Sequence, residues 1–182
     1  MNLLMLALLR EAGIPAQPVL ISTRTNGKPM PLYPFINQFD HVIVQVELGE
    51  KQILVDLASS FLPMGFPATN SLNGHGWLVS KDNPQWIDIP SPAASNTYLM
   101  NFSLDGDGSL FGNLTMSCDG YSAVDLRQEI HDRHDGQYLK EWLSETLPAI
   151  TIDSVRFENQ THLSKPFKAT ATSPPRGKRF DG

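Results

Sequence analysis

The sequence predicts an α+β fold in which a helix and an antiparallel sheet are followed by a small β-rich domain with one or two helices. Helix-forming apolar residues fill most of the first 13 positions. Segments of alternating polarity then follow one another, separated by short turns of the kind that join antiparallel strands. A second helical pattern lies at 123–144, within the later group of strands.

The composition is that of a globular protein with a modest acidic excess. The 182 residues are 41% hydrophobic, which suffices for one domain or two small ones. A net charge of −5 argues against a nucleic-acid partner. The apolar run Met1 to Leu9 is interrupted by Arg10 and Glu11, well short of the ~20 residues that span a membrane. We expect no nucleic acid and no membrane span, identify no cofactor motif, and leave the oligomeric state open.

The first helix has a clear end and an unusual beginning. Gly13 suits the position after the last helical residue, and Pro15 follows two positions later. Apart from Asn2, no capping side chain precedes the apolar run, which is apolar on nearly all sides. We expect a helix buried at the centre of a domain, and a chain that starts inside an element, as a fragment would.

The remaining elements divide at a Pro/Ala/Ser-rich segment, SPAASN at 91–96. Before it we predict strands at 16–23, 39–48, 51–58, 77–79 and 86–89, with a proline-containing loop at 24–38 and an irregular segment at 59–76. After it we predict a hairpin of 98–104 and 109–117, a helical stretch at 123–144 interrupted near Gly136, and strands at 150–158 and 165–172. The predicted domains are 1–92 and 97–170, with a flexible tail at 171–182.

The stretch 39–58 predicts a β-hairpin with a defined register. Gly49 and Glu50 suit a two-residue type II′ turn, so opposing residue numbers sum to 99. One face then carries only apolar residues: Val42, Val44, Val46, Ile53, Val55 and Leu57. A charge at Val44 should be severely destabilising, whereas one at Gln45, on the other face, should be tolerated.

His41 and Asp56 fall together on that other face as diagonal neighbours, roughly 7 Å apart at the backbone. An aspartate beside a histidine can fix the tautomer and stabilise the imidazolium, while the second ring nitrogen activates a nucleophile. A plain structural contact is the alternative. The nucleophile is not apparent, because the single thiol, Cys118, lies in a strand of the second domain and Ser22, Ser59 and Ser60 occupy no nucleophile motif.

Other polar clusters carry weaker signals. His131 and His134 have a spacing that can share a metal on a helix, but no third ligand accompanies them and a solvated helix face is favoured. The segment 105–108 begins like a calcium loop and lacks the glutamate at position 12, which favours a turn. His75 is expected on a loop that could cross a cleft. We therefore assign no metal site.

Several motifs in this order resemble the second half of a bacterial transglutaminase-like core, a papain-type cysteine fold. They are LALLREAGIPA (6–16), PVLIST (18–23), FDHVIVQVEL (39–48) and ILVDLASSFLPMGFP (53–67). LNGHGWLV (72–79) and QWIDIP (85–90) are similar to the segment that closes that core. Residues 103–127 resemble the β-rich domain of unknown function that follows it.

The resemblance implies roles for specific residues. His41 takes the place of the general base and Asp56 that of its orienting partner, while the nucleophilic cysteine would lie about three residues before Met1. The parent would transfer an acyl group to an amine or hydrolyse an amide or peptide bond in a protein or peptide substrate, in a periplasmic or cell-envelope setting. This chain alone is then expected to be inactive. The alternative is a non-catalytic protein-interaction or cell-envelope structural module that retains the fold.

Overall fold

The computed structural model describes residues 1–33, 35–106, 108, 110–133, 137–146 and 150–174. These residues form an α+β protein with three helices and two antiparallel sheets. The chain divides into two compact units, Met1–Pro92 and Ala93–Gly182, and the division falls inside the SPAASN segment. None of the helices among the described residues is long and apolar enough to cross a bilayer.

The first unit consists of one helix and a five-stranded sheet. Its elements are α1 (Asn2–Glu11), β1 (Ala16–Ile21), β2 (His41–Leu48), β3 (Lys51–Val55), β4 (His75–Leu78) and β5 (Gln85–Asp88). The strand order is β3-β2-β1-β4-β5, with every neighbouring pair antiparallel. His75 therefore begins a strand and is not on a loop. The irregular segment predicted after the hairpin runs between β3 and β4.

α1 ends as predicted, and it packs through one face only. Gly13 adopts a φ of +73°, and the N–H of Ile14 donates to the carbonyl of Leu9, which closes the helix in a Schellman motif. Leu6 packs against β2, but Leu4 and Leu8 on the opposite side of the helix are largely exposed, and so is Leu3 near its amino end. The expected all-round burial is therefore wrong for the structure of this chain.

The hairpin of β2 and β3 has the predicted register. Leu48 pairs with Lys51 and Val44 with Val55, so opposing numbers sum to 99. Gly49 has a φ of +62° and Glu50 a negative φ, the combination that a type II′ turn requires. The face that carries Val44 packs against α1, as the alternation predicts.

Two expectations for this hairpin are wrong, one on each face. Ile43 is fully buried and Gln45 is only 8% exposed. A charge at Gln45 is therefore not expected to be tolerated. Ala68 and Ser71 of the irregular segment after β3 donate hydrogen bonds to Asp56, which lies at the end of this face. Leu57 is 40% exposed, because β3 ends at Val55 and the chain leaves the sheet before it.

The second unit packs two helices on a four-stranded sheet. Its elements are β6 (Ser95–Leu104), β7 (Leu110–Asp119), α2 (Tyr121–Arg133), α3 (Gln137–Thr146), β8 (Ser154–Glu158) and β9 (Phe167–Ser173), in the sheet order β6-β7-β9-β8. The predicted helix 123–144 is thus two helices, and Gly136 lies outside the described residues. The alternating burial of β9 continues through Ser173, so the predicted tail at 171–182 begins inside a strand.

Arg127 on α2 is buried and organises the second unit. Its Nη2 donates to the carbonyl oxygens of Asn159, His162 and Lys165, and its guanidinium lies 5.8 Å from the centre of the Phe167 ring. Burial lowers the pKa of this guanidinium, although the charge of Asp119 opposes the shift. This role could not be predicted from the amino-acid pattern, because Arg127 belongs to a helix with a polar average composition.

Candidate functional site

His41 and Asp56 meet at one end of the β2–β3 hairpin, where β2 begins and β3 ends. His41 is the first residue of β2 and pairs with Ile21, while Asp56 directly follows the last residue of β3. The Nε2 atom of His41 lies 3.3 Å from both Asp56 carboxylate oxygens. The His41 side chain is 30% exposed and that of Asp56 is fully buried. The predicted proximity of the two side chains is therefore confirmed, with the carboxylate inside and the imidazole at the surface.

Asp56 is held by neighbours from three parts of the first unit. Its Oδ1 accepts from the Asn2 side-chain amide at 2.9 Å and from the N–H of Ala58 at 3.1 Å. Its Oδ2 accepts from the N–H of Ala68 at 3.0 Å and from the Ser71 hydroxyl at 3.3 Å. A buried carboxylate needs such donors, since burial without them would remove its charge.

Asn2 is the component that the sequence analysis did not assign. Its amide donates to Asp56 and to the carbonyl of Val42 at 2.7 Å, and its Oδ1 accepts from the N–H of Leu57 at 2.7 Å. These three bonds fix the first turn of α1 against the ends of β2 and β3. The signal was its position: Asn2 is the one polar side chain in the apolar start of the helix, and it is buried.

The electrostatics favour a charged Asp56 beside a readily protonated His41. Burial alone would raise the pKa of the Asp56 carboxyl, but hydrogen bonds from His41, Asn2 and Ala68 outweigh it and lower the pKa to about 2. The hydrogen bond to Asp56 raises the pKa of His41 above its usual 6.5, against the opposing effects of burial and the nearby N-terminal ammonium. The pair therefore supports a His⁺/Asp⁻ state.

An open depression of about 430 Å³ adjoins His41 at the amino end of α1. Met1, Leu3, Leu20, Ile36 and Phe39 give it a largely apolar lining, and Asp40 adds one carboxylate. Because Nε2 of His41 faces Asp56, Nδ1 is the ring nitrogen left over, and it has no hydrogen-bond partner among the described residues. A group bound in the depression could therefore exchange a proton with the imidazole.

The other candidates do not join this site. Cys118 is buried in β7 of the second unit, where desolvation raises the pKa of its thiol. Ser22 is buried and donates to the carbonyl of Gly27 at 2.7 Å, and the Ser59 hydroxyl accepts from the N–H of Phe61. Ser60 is exposed at the surface of the first unit.

Two other histidines, His75 and His131, form exposed local pairs. His75 lies 2.8 Å from Asp88 on the neighbouring strand, and both side chains are largely exposed. His131 pairs with Asp132 on α2 in the same manner. His134, the second residue of the considered metal pair, lies outside the described residues, as does Asp107 of the turn at 105–108. Asp105 accepts from the N–H of Gly106, which is a turn contact.

No family model matches the chain, and neither a curated protein nor a solved structure matches it significantly. The relation to transglutaminase-like proteins accordingly remains the resemblance carried by the motifs described above.

Proposed function

We propose that His41 and Asp56 are the general base and its orienting carboxylate in a transglutaminase-like cysteine site. Residues 1–92 are then the C-terminal part of such a core, and a β-rich domain follows it. The observation that carries the proposal is the arrangement of the His41/Asp56 pair at the end of β2 and β3. A buried, ionised Asp56 engages one nitrogen of a partly exposed His41, and the other nitrogen has no partner among the described residues and lies beside an open depression. This is the division of roles that an activated nucleophile needs.

The amino end of α1 supports a thiol in particular. The first helical N–H groups carry partial positive charge, which together with a nearby imidazolium lowers the pKa of a cysteine. Asn2 holds this helix end beside Asp56, and Met1 and Leu3 line the same depression as His41. The resemblance locates the cysteine about three residues before Met1, at the start of the same helix.

In the proposed reaction the cysteine thiolate attacks the carbonyl carbon of an amide, and a C–S bond forms as the C–N bond breaks. The His41 imidazolium donates its proton to the departing amine. Water or an acceptor amine then attacks the thioester, gives its proton to His41 and releases the thiolate. Asp56 keeps its charge throughout and balances the imidazolium.

Alkylation kinetics test the proposal. The protein is produced with its natural preceding residues, and the rate of thiol labelling by iodoacetamide is measured at about pH 6 to 7, where an ordinary thiol reacts slowly. We expect rapid labelling of the upstream cysteine, slowed at least about tenfold in His41→Ala. His75→Ala is the matched control, because it removes the exposed His–Asp pair of the same sheet. Equal rates in the two variants, or a different residue in place of the cysteine, would contradict the proposal.

The alternative is the non-catalytic module, and one feature favours it. Asn2, Ala58, Ala68 and Ser71 already hold Asp56, so the carboxylate has a structural task whether or not His41 acts as a base. The same experiment separates the two, since a purely structural pair predicts ordinary thiol reactivity.

A further inference from the structure

The second unit contains a groove with a composition different from the depression near His41. It lies between the edge strand β6 and helix α2, has a volume of about 310 Å³, and is bounded by Asn96 and Tyr98 of β6, Asp125 and Glu129 of α2, and Trp142 of α3. We call it the β6–α2 groove. Tyr98 pairs with the buried Met116, so the groove opens on the core side of the sheet, beyond the area that α2 covers.

β6 is an unprotected edge in the described part of the second sheet. It pairs with β7 alone, and its ten residues include no charged side chain and no proline. Its exposed apolar side chains are Tyr98, Leu99, Met100 and Leu104. Charges, prolines and short length are the usual means of blocking an edge, and half of the main-chain N–H and C=O groups of such a strand point away from its partner. β6 can therefore accept a further strand.

The carboxylates of α2 indicate what the added strand should carry. Asp125 and Glu129 are four residues apart and share one helix face beside the groove. Glu129 is already paired with Arg133 at 2.6 Å. Asp125 has no hydrogen bond or ion pair to any other described residue, so its charge is uncommitted. A cation entering the groove would meet this carboxylate with the Tyr98 and Trp142 rings beside it.

We propose that the β6–α2 groove binds an extended peptide that adds a strand to β6 and places a lysine or arginine side chain in the groove. A residue opposite Tyr98 on the added strand would point to the same side of the sheet, roughly 5 Å further from α2. Only a long side chain spans that gap, with its aliphatic stem over the Tyr98 ring and its cationic end at Asp125. This inference is independent of the site at His41.

A second copy of this chain is the competing occupant of the edge. Pairing of β6 with β6 would bring no cation to Asp125, because Ser95–Leu104 contains no lysine or arginine. The charge complementarity of the groove therefore favours a different, basic peptide.

The probe is a fluorescein-labelled peptide, Thr-Val-Lys-Val-Thr-amide, titrated with the whole chain and followed by anisotropy. We expect binding to weaken at least about fivefold when lysine is replaced by glutamine or by the shorter 2,4-diaminobutyrate. The indole N–H signal of Trp142 should shift on binding, and those of Trp77 and Trp86 in the first unit should not. Equal affinity for the three peptides, or no binding below about 1 mM, would overturn the proposal.

Substitutions on the protein give the reciprocal test. Asp125→Asn combined with Glu129→Gln should bring the lysine peptide to the affinity of the glutamine peptide, while Glu141→Gln, an exposed position on α3 away from the groove, should leave it unchanged. If the double variant binds the lysine peptide with unchanged affinity, the lysine ammonium does not bind beside Asp125 and Glu129, and the proposal is overturned.

Two N-methylated peptides examine the strand pairing itself. One is methylated on both valine amides and the other on the lysine amide, and these two sets of N–H groups point to opposite edges of a strand. One peptide should lose binding and the other should keep it. Retention of binding by both would exclude main-chain pairing, and a stable dimer that the lysine peptide does not dissociate would assign β6 to a second copy.

Discussion

The strands β2 and β6 use the same alternating pattern in opposite ways. β2 lies inside its sheet, and both of its faces are buried, with α1 packed on the face that carries Val44. β6 lies at the edge of its sheet, with one face solvated and the other only partly covered by α2. The comparison teaches that a strand covered on both faces has no exposed position for a charge, whereas an open edge strand leaves pairing capacity for another chain.

The largest expected effect on stability comes from placing a charge on β2, and the same change on β6 is the comparison. Ile43→Asp and Val44→Asp put a carboxylate on opposite, fully buried faces of β2, so both should lose roughly 4 kcal/mol or more of unfolding free energy. Leu99→Asp on β6, where the side chain is 68% exposed, should change the stability by less than about 0.5 kcal/mol. Urea denaturation of the three variants measures this, and a mild Ile43→Asp would contradict burial of the second face.

The next prediction compares how much the two His–Asp pairs of the first sheet contribute to stability. Asp56→Ala leaves the donors Asn2, Ala68 and Ser71 without their acceptor in a buried place, and should cost about 3 to 5 kcal/mol. Asp88→Ala removes a shorter contact, 2.8 Å from His75, but an exposed one, so little change is expected. Equal losses of stability in thermal or urea unfolding would show that the His–Asp distance, and not the burial of the pair, determines how much each aspartate contributes to stability.

Asn2→Ala should have an intermediate effect. It removes three hydrogen bonds and leaves the N–H of Leu57 and one Asp56 oxygen underbonded, which should cost about 2 kcal/mol. Asn2→Asp is the informative second variant, because it keeps the size and adds a negative charge next to Asp56. It should be less stable than Asn2→Ala at neutral pH and should recover as the solution is acidified. A more stable Asn2→Asp would contradict the proposed donation to Asp56.

The smallest expected effect is a pH dependence of the stability, with opposite signs for His41 and Asp56. The pKa of His41 is raised by folding, so its contribution is complete below pH 6.5 and is lost as the pH rises through the raised value. The pKa of Asp56 is lowered from 3.8 to about 2, so its contribution is present above pH 3.8 and is lost as the pH falls through about 2. The unfolding free energy should be measured against pH for each variant and for the unsubstituted chain. The difference between His41→Gln and the unsubstituted chain should shrink as the pH rises, and the difference for Asp56→Asn should shrink as the pH falls. NMR titration of His41 should give a lower pKa in Asp56→Asn than in the unsubstituted chain.

The sequence predicts those parts of the fold that local periodicity determines. The valines of β2 and the Gly49 turn predict the register, and the register brings His41 to Asp56. Asn2 could not be assigned in this way, because it reaches Asp56 across 54 residues and its partner depends on how α1 docks. The burial of Arg127 was missed for a similar reason, since its carbonyl partners lie in an irregular segment without periodicity. The burial of Gln45 was missed because the alternation of a strand does not tell whether its second face is covered. The catalytic role of His41 and Asp56 stays a prediction.

The attachment of Asn2 also determines the rotational setting of α1. Turning the helix about its axis to bury Leu4 and Leu8 would swing Asn2 away from Asp56, because each helical position is displaced by about 100° from the one before it. The Schellman closure at Gly13 limits such a rotation at the other end. The hydrogen bond between Asn2 and the buried Asp56 carboxylate thus favours the helix orientation in which Leu4 and Leu8 are directed outward.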